Sequence, residues 1–594
     1  MQQLEQEVKL EVDPDWTLPD LSGLFAGVKA VPLPSLALET TYYDTAGSRL
    51  AEHHIALRLR REIVAGGAGG AGGAGGRSTA VWTIKLPSSA PSDGTVLVRT
   101  ELTWPAPAGP GPGPRSRRPL RPHPEAVQFL RAVTLGLPLV PVARLTTTRG
   151  RTELRTSDGR QLAEIDHDNV SGRRLRATGD GPNGTTPGPE VHFVEVEVEL
   201  ADGSAQEVLE AVVTRLHLAG ARPSARRSKL STVLGMAARA AAPAGAPAPR
   251  AAAPAGAPAA PRPPGAGRSA ALMSDVLAEQ ARSCLDALVD HDLPIRLGDP
   301  DPEHVHHARV GTRRLRSILR SFAPLVGSAP GEVDDSPETW FAGAREELKW
   351  LGAALGDVRD ADVRLLGLVQ DCSALPPAYS LGAAALLAAA EDDQRLAHEA
   401  LLEAMATERY IEVLRTLEDL GSGPGSGPAA PAVPVPAGLW DRLAQPAATG
   451  MPALARRQWR AVRRAVHRLG DEPPDPALHQ VRIQAKRLRY LSEVAAPVVV
   501  PSAHRQAAKR TSKAATALQD VLGQLHDAAV TEQWLHDGST RIPSRTRTAA
   551  AYATGLAAGQ LVARAQEHQR ALRQKWPAAW APLADRHVHR WVEP

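Results

Sequence analysis

The chain has 594 residues, 43% of them hydrophobic, and its 69 basic and 65 acidic side chains leave a formal net charge of +4. This length favours two to four domains, and the composition excludes disorder throughout. The two cysteines, Cys284 and Cys372, exclude a disulfide scaffold and a cysteine zinc site, and no apolar run approaches the ~18 residues of a membrane span. The start of the chain, MQQLEQEVKLEVD, is unlike a signal peptide, so we expect a cytoplasmic protein.

The two halves of the chain differ in the period of their hydrophobic residues. Up to about residue 235, apolar and charged residues alternate, as in 5–9 and 191–200, which predicts β-strands. After residue 269, long segments rich in Ala, Leu and Arg follow a helical period. We therefore predict a multidomain α+β protein with a β-rich domain over 1–235, an Ala/Pro-rich linker over 236–268 and an all-α domain over 269–594.

Three more stretches of low complexity interrupt these domains. They are the Gly/Ala repeat at 65–76, a Pro-rich segment with interspersed Arg at 105–124, and the Gly/Pro-rich segment at 421–436. Such compositions bury little apolar surface, so we predict loops at all three. The first lies between two predicted strands and should lengthen their connection without changing the strands themselves.

Charged residues occupy every second position of the predicted strands. Because alternate side chains of a strand share one face, each strand has an apolar face and a charged one. On a single strand, such a face is most simply a solvated surface with ion pairs, but about six strands of this kind predict a lumen with rows of carboxylates and rows of Arg and Lys. Carboxylates bind hard divalent cations, and Arg and Lys bind phosphate oxygens, so this lumen suits a metal–polyphosphate complex.

The ordered motifs resemble the CYTH domains, also called triphosphate tunnel metalloenzymes. The chain opens with Glu-x-Glu-x-Lys at 5–9, followed by TYYDT at 41–45, LRLR at 57–60, Lys85, R-x-E at 99–101, the acidic rows at 164–166 and 195–199, and SKL at 228–230. The resemblance covers about residues 1–235. It implies an eight-stranded antiparallel tunnel that binds a triphosphate together with Mg²⁺ or Mn²⁺ as cofactor.

The resemblance also implies roles for individual residues. Those expected to act in catalysis are Glu5, Glu7 and Lys9. Those expected to bind phosphate are Lys9, Arg58, Arg60, Lys85, Arg99, Arg149, Arg151 and Lys229. Those expected to bind metal are Glu5, Glu7, Glu101, Asp166, Glu195 and Glu197. Arg144 competes with Arg149 and Arg151 for the same position in the motif order, so the basic strand has two possible alignments.

An internal repeat divides the C-terminal part near 269–420 and 437–594. The segment that begins HHARVGTRRLR at His306 recurs as HQVRIQAKRLR at His479, 173 residues later. Downstream, LGDVRDADV at Leu355 recurs as LGQLHDAAV at Leu522, 167 residues later. Two motifs in the same order at nearly the same offset predict two similar helical bundles with pseudo-symmetry.

Basic side chains form stripes on the predicted helices. At 100° per residue, His306, Arg309, Arg313 and Arg316 fall within an arc of about 80°, and His479, Arg482, Lys486 and Arg489 repeat this arc. An ordinary solvated face mixes both signs, whereas like charges at i,i+3 and i,i+4 are mildly destabilising without an anion. The stripes therefore predict a positive groove for a polyanion. We expect Asp357, Asp360 and Asp362 to form ion pairs with these basic helices.

These motifs resemble the CHAD domain, which often follows a CYTH domain and is associated with inorganic polyphosphate. The resemblance covers about 269–594, although His526 and Ala529 replace Arg359 and Asp362 in the second copy. The residues expected to bind polyphosphate are His306, Arg309, Arg313, Arg316, Arg320, Arg456, Arg460, Arg463, His479, Arg482, Lys486, Arg489, Arg505, Lys509 and Lys513.

The sequence thus predicts a metal-dependent hydrolase of inorganic triphosphate or short polyphosphate, whose helical domain binds inorganic polyphosphate. The alternatives are a non-catalytic polyphosphate-binding protein and, ranked lower, an adenylate cyclase of the wider CYTH family. We expect inorganic triphosphate and polyphosphate as partners and association with polyphosphate granules. We expect neither a membrane nor a nucleic acid as partner, since aromatic residues make up only 4% of the chain.

Overall fold

The computed structural model describes residues 2–63, 79–87, 96–106, 120–177, 185–224, 228–235, 271–327, 336–424, 434–436, 438–541 and 549–592. The stretch 65–76, the linker 236–268, most of 105–124 and much of 421–436 were predicted from sequence and lie outside these ranges. The chain divides into two compact units, Met1–Pro258 and Ala259–Pro594. Across the described ranges, every helix is too short or too polar to span a lipid bilayer.

The N-terminal unit is built mainly from antiparallel strands. Its strands are β1 (Gln2–Glu11), β2 (Val28–Asp44), β3 (Ala56–Ile63), β4 (Thr79–Pro87), β5 (Val96–Pro105), β6 (Val140–Thr156), β7 (Gln161–Ala177), β8 (Thr185–Leu200) and the short β9 (Arg222–Pro223). Its helices are α1 (Arg49–Glu52), α2 (Pro124–Phe129), α3 (Arg131–Thr134), α4 (Gln206–Leu218) and α5 (Lys229–Leu234).

The sheet closes on itself. In the order β1-β5-β4-β3-β2-β6-β7-β8, each strand pairs with the next, and β8 pairs back with β1. All these pairings are antiparallel, and β9 adds two residues beside β1. This closed barrel of eight strands confirms the predicted tunnel, and with the helical unit described below it confirms the α+β fold class.

The larger hydrophobic cluster of this unit lies outside the barrel wall. Valines 194, 196 and 198 of β8 and Leu10 of β1 pack against α4 through Val208, Leu209, Val212 and Leu216. Because neighbouring side chains of a strand point to opposite faces, packing the valines outward directs Glu195, Glu197 and Glu199 into the barrel. The apolar half of the alternation is therefore what places the charged half inside.

The C-terminal unit is helical. Its helices are α6 (Met273–Leu297), α7 (Glu303–Phe322), α8 (Pro337–Ser373), α9 (Ser380–Ala406), α10 (Glu408–Ser422), α11 (Leu439–Arg442), α12 (Ala447–His467), α13 (Asp475–Ala495), α14 (Ser502–Arg541), α15 (Ala549–Ala584) and α16 (Arg586–His589). Helices α6–α10 form one bundle and α12–α15 another.

The two bundles meet through equivalent helices. Helix α7 packs on α13, α6 on α12 and α9 on α15, and in each of these pairs the helices hold the same place in the two bundles. The repeated motifs lie on α7 and α8 in the first bundle and on α13 and α14 in the second. Pairing of equivalent elements is the arrangement expected of an internal pseudo-twofold axis.

Candidate functional site

The inside of the barrel alternates positive and negative side chains between strands. The register places Glu5 opposite Arg99, Lys9 opposite Glu197, Lys85 opposite Glu101, and Arg149 opposite Asp168. Cross-strand neighbours have Cβ atoms about 5 Å apart, so these residues can form ion pairs. The two signs are thus interleaved around the wall.

Two lysines bridge the carboxylates of the opening motif. Lys85 Nζ lies 2.6 Å from an oxygen of Glu5 and 2.6 Å from an oxygen of Glu101. Lys9 Nζ lies 3.1 Å from Glu7 Oε2 and also forms an ion pair with Glu197. All six side chains are less than one-fifth exposed, so these ion pairs are shielded from water.

Arg149 occupies the centre of the acidic rows on β7 and β8. Its guanidinium binds both oxygens of Asp168, at 2.8 and 2.6 Å, and lies 3.0 Å from Glu197 Oε2. It also contacts Asp166. The planar guanidinium fork is suited to such bidentate binding, which fixes its orientation. Arg151 lies two residues further along β6, on the same face of the strand, and pairs instead with Glu164 at 2.6 Å.

A lysine of α5 lies against a trio of carboxylates. Lys229 Nζ is 3.0 Å from Asp168 Oδ2, 2.6 Å from Glu195 Oε1 and 2.8 Å from Glu197 Oε1. One oxygen from each of these three carboxylates lies within 4.8 Å of the others. The capping box between Ser228 and Ser231 fixes the start of α5, and Leu230 and Val233 bury its apolar face in the barrel core.

These residues fit a hard divalent cation. Asp168 and Glu195 are fully buried, and Glu195 Oε2 and Asp166 Oδ1 have no hydrogen-bond donor among the described residues. Buried carboxylate oxygens without donors are costly unless a cation satisfies them. Oxygen ligands are those that Mg²⁺ prefers, and Mn²⁺ accepts the same set.

One arginine of the tunnel has no carboxylate partner. Arg60 makes no ion pair with any described residue, and its Nε lacks a hydrogen-bond acceptor. Burial, reinforced by the nearby guanidinium groups of Arg58 and Arg149, lowers the pKa of Arg60 to about 10. Arg58, opposite Thr83 on the next strand, has Glu101 at 3.4 Å. This part of the tunnel therefore has an unsatisfied requirement for an anion.

The charge pattern shifts the pKa values of the carboxyl groups in both directions. Burial opposes the charge of Glu7, but Lys9, Lys85 and Arg99 outweigh it and lower the pKa of Glu7 well below its usual range. Burial raises the pKa of Asp166 to about 6. Burial, together with Glu5 and Glu101, raises the pKa of Glu199 to about 7. Groups with such separated pKa values are typical of functional sites.

The tunnel gathers the residues predicted from the sequence. Those within its network of ion pairs are Glu5, Glu7, Lys9, Arg58, Lys85, Arg99, Glu101, Arg149, Asp166, Glu197 and Lys229, with Glu195 beside Lys229 and Arg60 beside Arg58. The ion pairs leave a cavity of only about 20 Å³. Sequence reasoning missed Asp168 as a metal-ligand candidate, although it continues the acidic row of Glu164 and Asp166.

The helical unit has its own basic cleft, which we call the repeat cleft. Its volume is about 380 Å³, and it lies among α7, α8, α13 and α14. Its cationic lining consists of His306, Arg309, Arg313, Arg359, Arg364, Arg482, Lys486 and His526, and its acidic lining of Asp360, Asp520 and Asp527. Most positions that line the cleft from one repeat are matched by the equivalent positions of the other repeat, as Arg309 is by Arg482.

The equivalent arginines differ in their partners. Arg309 donates to Asp360 Oδ1 at 2.7 Å, as expected from sequence for that aspartate. Arg482 makes no ion pair among the described residues and has a buried Nε without an acceptor. Burial and the arginines 313, 482 and 309 lower the pKa of Lys486 to about 6. Asp362 is buried beside Gln394 and His398 instead, and Asp357 is exposed.

Several predicted polyphosphate ligands lie outside the repeat cleft. Arg320 lines a second cleft, Arg456 hydrogen-bonds the carbonyl of Val592, and Arg489 pairs with Glu493 at 2.9 Å. Arg505 and Lys509 line a shallow depression beside Glu493. Other predicted residues outside it are Arg316, which is half-buried, and Arg460, Arg463 and Lys513, which are exposed. The ring of His479 lies 4.6 Å from that of His526, tilted by 45° to it, so His479 borders the repeat cleft.

Comparisons with known proteins match both units. Residues 3–226 match the family model of the CYTH domain, and residues 279–536 match that of the CHAD domain. An uncharacterized protein of Mycobacterium tuberculosis, from strain H37Rv, is 28% identical over 543 residues, which cover 90% of this chain and 88% of the relative.

Two solved structures are also similar to parts of the chain. PptA from Streptomyces chartreusis is 22% identical with a TM-score of 0.39, covering 52% of this chain and 98% of that one. A Hippeastrum protein described as a putative adenylyl cyclase with a dominant triphosphatase activity is 17% identical with a TM-score of 0.22, covering 39% and 96%.

Proposed function

Because the chain is a CYTH and CHAD domain protein, we propose that it hydrolyses inorganic triphosphate or short polyphosphate in its tunnel and binds inorganic polyphosphate through its helical unit. Members of the CYTH family act as triphosphatases or cyclases, which supports a phosphohydrolase. Within this proposal, the protein works in the cytoplasm in association with polyphosphate granules.

The observation that carries the tunnel proposal is that the tunnel contains both a cation and carboxylate oxygens without partners among the described residues. Arg60 is a half-buried cation with a buried Nε and no ion pair to a described residue, whereas Glu195 Oε2 and Asp166 Oδ1 are buried carboxylate oxygens without donors among those residues. A phosphate chain carrying a divalent cation would satisfy both sets at once, since guanidinium binds phosphate and carboxylate binds the metal. A purely cationic ligand would satisfy only the carboxylates, and an anion without a cation would satisfy only Arg60.

In this proposal, Asp168, Glu195 and Glu197 hold Mg²⁺ or Mn²⁺. A metal bound there supplies charge neutralisation and polarises phosphoryl oxygens. Arg58 and Arg60 bind phosphate oxygens, and Lys85 and Lys9 exchange their carboxylate partners for phosphate as the substrate enters. Exchange is required because the ion pairs leave a cavity of only about 20 Å³ between these side chains.

Activity of the tunnel is tested with the full-length protein. We expect phosphate release from inorganic triphosphate with Mg²⁺ or Mn²⁺, faster than from ATP or long polyphosphate. The isosteric variant Glu195→Gln should lower this turnover at least about tenfold, because it removes a charged metal ligand. Glu190→Gln is the matched control, since Glu190 lies on the same strand but is exposed and pairs with Arg173.

The possible outcomes separate the candidate functions. No turnover with either metal would contradict the hydrolase and leave polyphosphate binding as the function. Formation of cyclic AMP from ATP would favour the cyclase instead. Equal turnover by both glutamine variants would show that the carboxylate trio is not the metal site.

Polyphosphate binding is tested at the repeat cleft. Arg482→Ala should weaken binding of long polyphosphate about tenfold, because Arg482 is free to bind an anion. Arg309→Ala should have a smaller effect, since Arg309 already shares its charge with Asp360. Arg570→Ala, on an exposed position of α15, is the control. Equal affinities for all three variants and the unmodified protein would contradict a polyanion site in this cleft.

A further inference from the structure

A second basic cleft lies on another side of α7 and α13. It is about 200 Å³ in volume and is formed by α7, α12 and α13, and we call it the arginine cleft. Its charged lining residues are Arg320, Arg457, Arg464 and Arg487. On α13, Gln484 and Arg487 of this cleft point roughly 100–160° away from Arg482 and Lys486, so the two clefts occupy different faces of that helix.

The four arginines that line this cleft have no ion-paired carboxylate among the described residues, although Glu346 partly offsets the charge of the neighbouring Arg316 and Arg345. None of the four makes an ion pair with a residue that the structure describes, and Arg316 and Arg345, which lie close enough to influence Arg487, make none either. Neutral groups line the rest, and Arg487 is oriented by Gln484, which also accepts from Gln458 at 2.8 Å. Gathering like charges without a carboxylate is unfavourable unless an anion binds.

The internal repeat supplies a comparison. Residues 314, 316 and 320 correspond to residues 487, 489 and 493 at the offset of 173. Where the first repeat has Arg320, the second has Glu493, which binds Arg314 at 3.0 Å and Arg489 at 2.9 Å. Glu493 therefore neutralises the arginines beside it, whereas Arg320, at the equivalent position, adds a further positive charge.

We infer that the arginine cleft is a second binding site for phosphate groups, found on only one side of the pseudo-symmetric unit. Arginine forks bind tetrahedral phosphate oxygens in pairs, and several guanidinium groups around a small cleft suit a multiply charged phosphate. The inference rests on the proposed polyphosphate binding for the chemistry of its ligand. It assigns this chemistry to residues outside the repeat cleft, three of which sequence reasoning did not select.

The test measures the anisotropy of labelled long inorganic polyphosphate with the full-length protein. Arg320→Glu should weaken binding about tenfold and reduce the dependence of affinity on salt, because it places in the first repeat the carboxylate that the second repeat already has. Arg570→Glu changes the charge equally at an exposed position outside both clefts and should have little effect. Glu493→Gln, which releases Arg314 and Arg489, should strengthen binding.

A second arm distinguishes one spanning chain from separate phosphates. It repeats the Arg320→Glu comparison with tripolyphosphate in an Arg60→Ala background, so that the tunnel contributes less. A loss with both lengths means that the cleft binds phosphate by itself, and a loss with the long chain alone means that one chain reaches both clefts. The inference is overturned if Arg320→Glu matches Arg570→Glu at both lengths while Arg482→Ala still weakens binding. If no variant changes the binding, the proposed function itself fails.

Discussion

At the scale of single residues, most charged side chains of the tunnel form ion pairs, whereas Arg60 forms none with a described residue. Arg60 lies inside the barrel beside Arg58, whereas its neighbour Arg61 points to the opposite face of β3. Taking a charge out of water costs free energy that a partner must offset, and Arg60 has no such partner among the described residues. Its burial without an ion-paired carboxylate indicates a role in binding rather than in stability.

We therefore predict opposite effects of Arg60→Ala on binding and on folding. The variant should raise KM for triphosphate at least about tenfold, since it removes a charge-assisted contact, while the melting temperature stays constant or rises. Steady-state kinetics and thermal unfolding check the two expectations. Arg61→Ala, the adjacent residue outside the lumen, should leave KM unchanged. A large loss of stability in Arg60→Ala would contradict the role in binding.

Lys486 leads to a prediction about pH. Burial and three arginines lower its pKa to about 6, and Asp527 across the cleft offsets them only in part, so the amine is neutral at pH 7.5 when the cleft is empty. A bound polyanion raises that pKa, so protons are taken up on binding between pH 6 and the higher pKa of the complex. His306 and His526 in the same lining, with pKa values lowered chiefly by burial, add in the same direction.

Affinity for long polyphosphate should therefore rise as the pH falls from 8.5 to 6, and protonation of the two histidines should extend this rise below pH 6. Titration calorimetry in buffers of different ionisation enthalpy measures the proton uptake directly. Lys486→Met should reduce the uptake near neutral pH while leaving the contribution of the histidines. Binding that is independent of pH in the unmodified protein would show that Lys486 does not face the bound anion.

At the scale of elements, the closed sheet follows from the alternation of residues along each strand. The period of two could be read in the sequence, and with it the faces of Glu5, Lys9 and Glu197. The cross-strand register was not predicted from the alternation, because it depends on turns and bulges such as the register shift between Leu33 and Leu36. This is why Asp168, which the register places opposite Arg149 and Glu195, was not selected as a metal-ligand candidate.

Helix α12 shows the corresponding limit for helices. Sequence reasoning selected the stripe of Arg456, Arg460 and Arg463, whereas the cleft is lined by Arg457 and Arg464 on a different face. Both faces of this helix are basic, so charge alone does not tell them apart. The buried Leu454, Trp459 and Val462 fix its orientation through packing. Packing against distant segments therefore determines which basic face of α12 lines the cleft, and the local sequence pattern does not.

Helix α5 gives a prediction at this scale, because it positions Lys229 through one close approach to the sheet. A Cβ added at Gly172 of β7 would lie 2.5 Å from a methyl of Val233 and 3.3 Å from Leu145. Gly172→Ala should therefore displace α5 and move Lys229 away from Asp168. We expect a destabilisation of about 1–3 kcal/mol, as for other overpacked cores, together with weaker triphosphate binding.

Gly150→Ala on the neighbouring strand is the control for that prediction. A Cβ at Gly150 meets only His167, at 3.8 Å, which is an ordinary contact. Denaturant unfolding and triphosphate titration should separate the two alanine variants. If they unfold at the same denaturant concentration, α5 does not press on the sheet at Gly172, and the placement of Lys229 has another cause.

At the scale of the whole molecule, a formal net charge of +4 conceals two separate concentrations of positive charge. In the tunnel, most cations are neutralised by carboxylates, so the surplus is small and local. In the helical unit, the arginine cleft and Arg482 remain without carboxylate partners among the described residues. Overall charge therefore says little about affinity for polyanions, and the distribution of partners says more.

Each unit has its own core and its own set of cations, so the two activities should be separable in the full-length protein. Arg60→Ala should impair triphosphate turnover while long polyphosphate binds within about twofold of normal, and Arg482→Ala should do the reverse, because sites without shared partners contribute independently. Turnover and anisotropy measured on the same two preparations check this. If Arg482→Ala also slows hydrolysis of triphosphate, which is too short to need a second contact, then the helical unit acts on the chemistry of the tunnel and not only on retention of the polyanion.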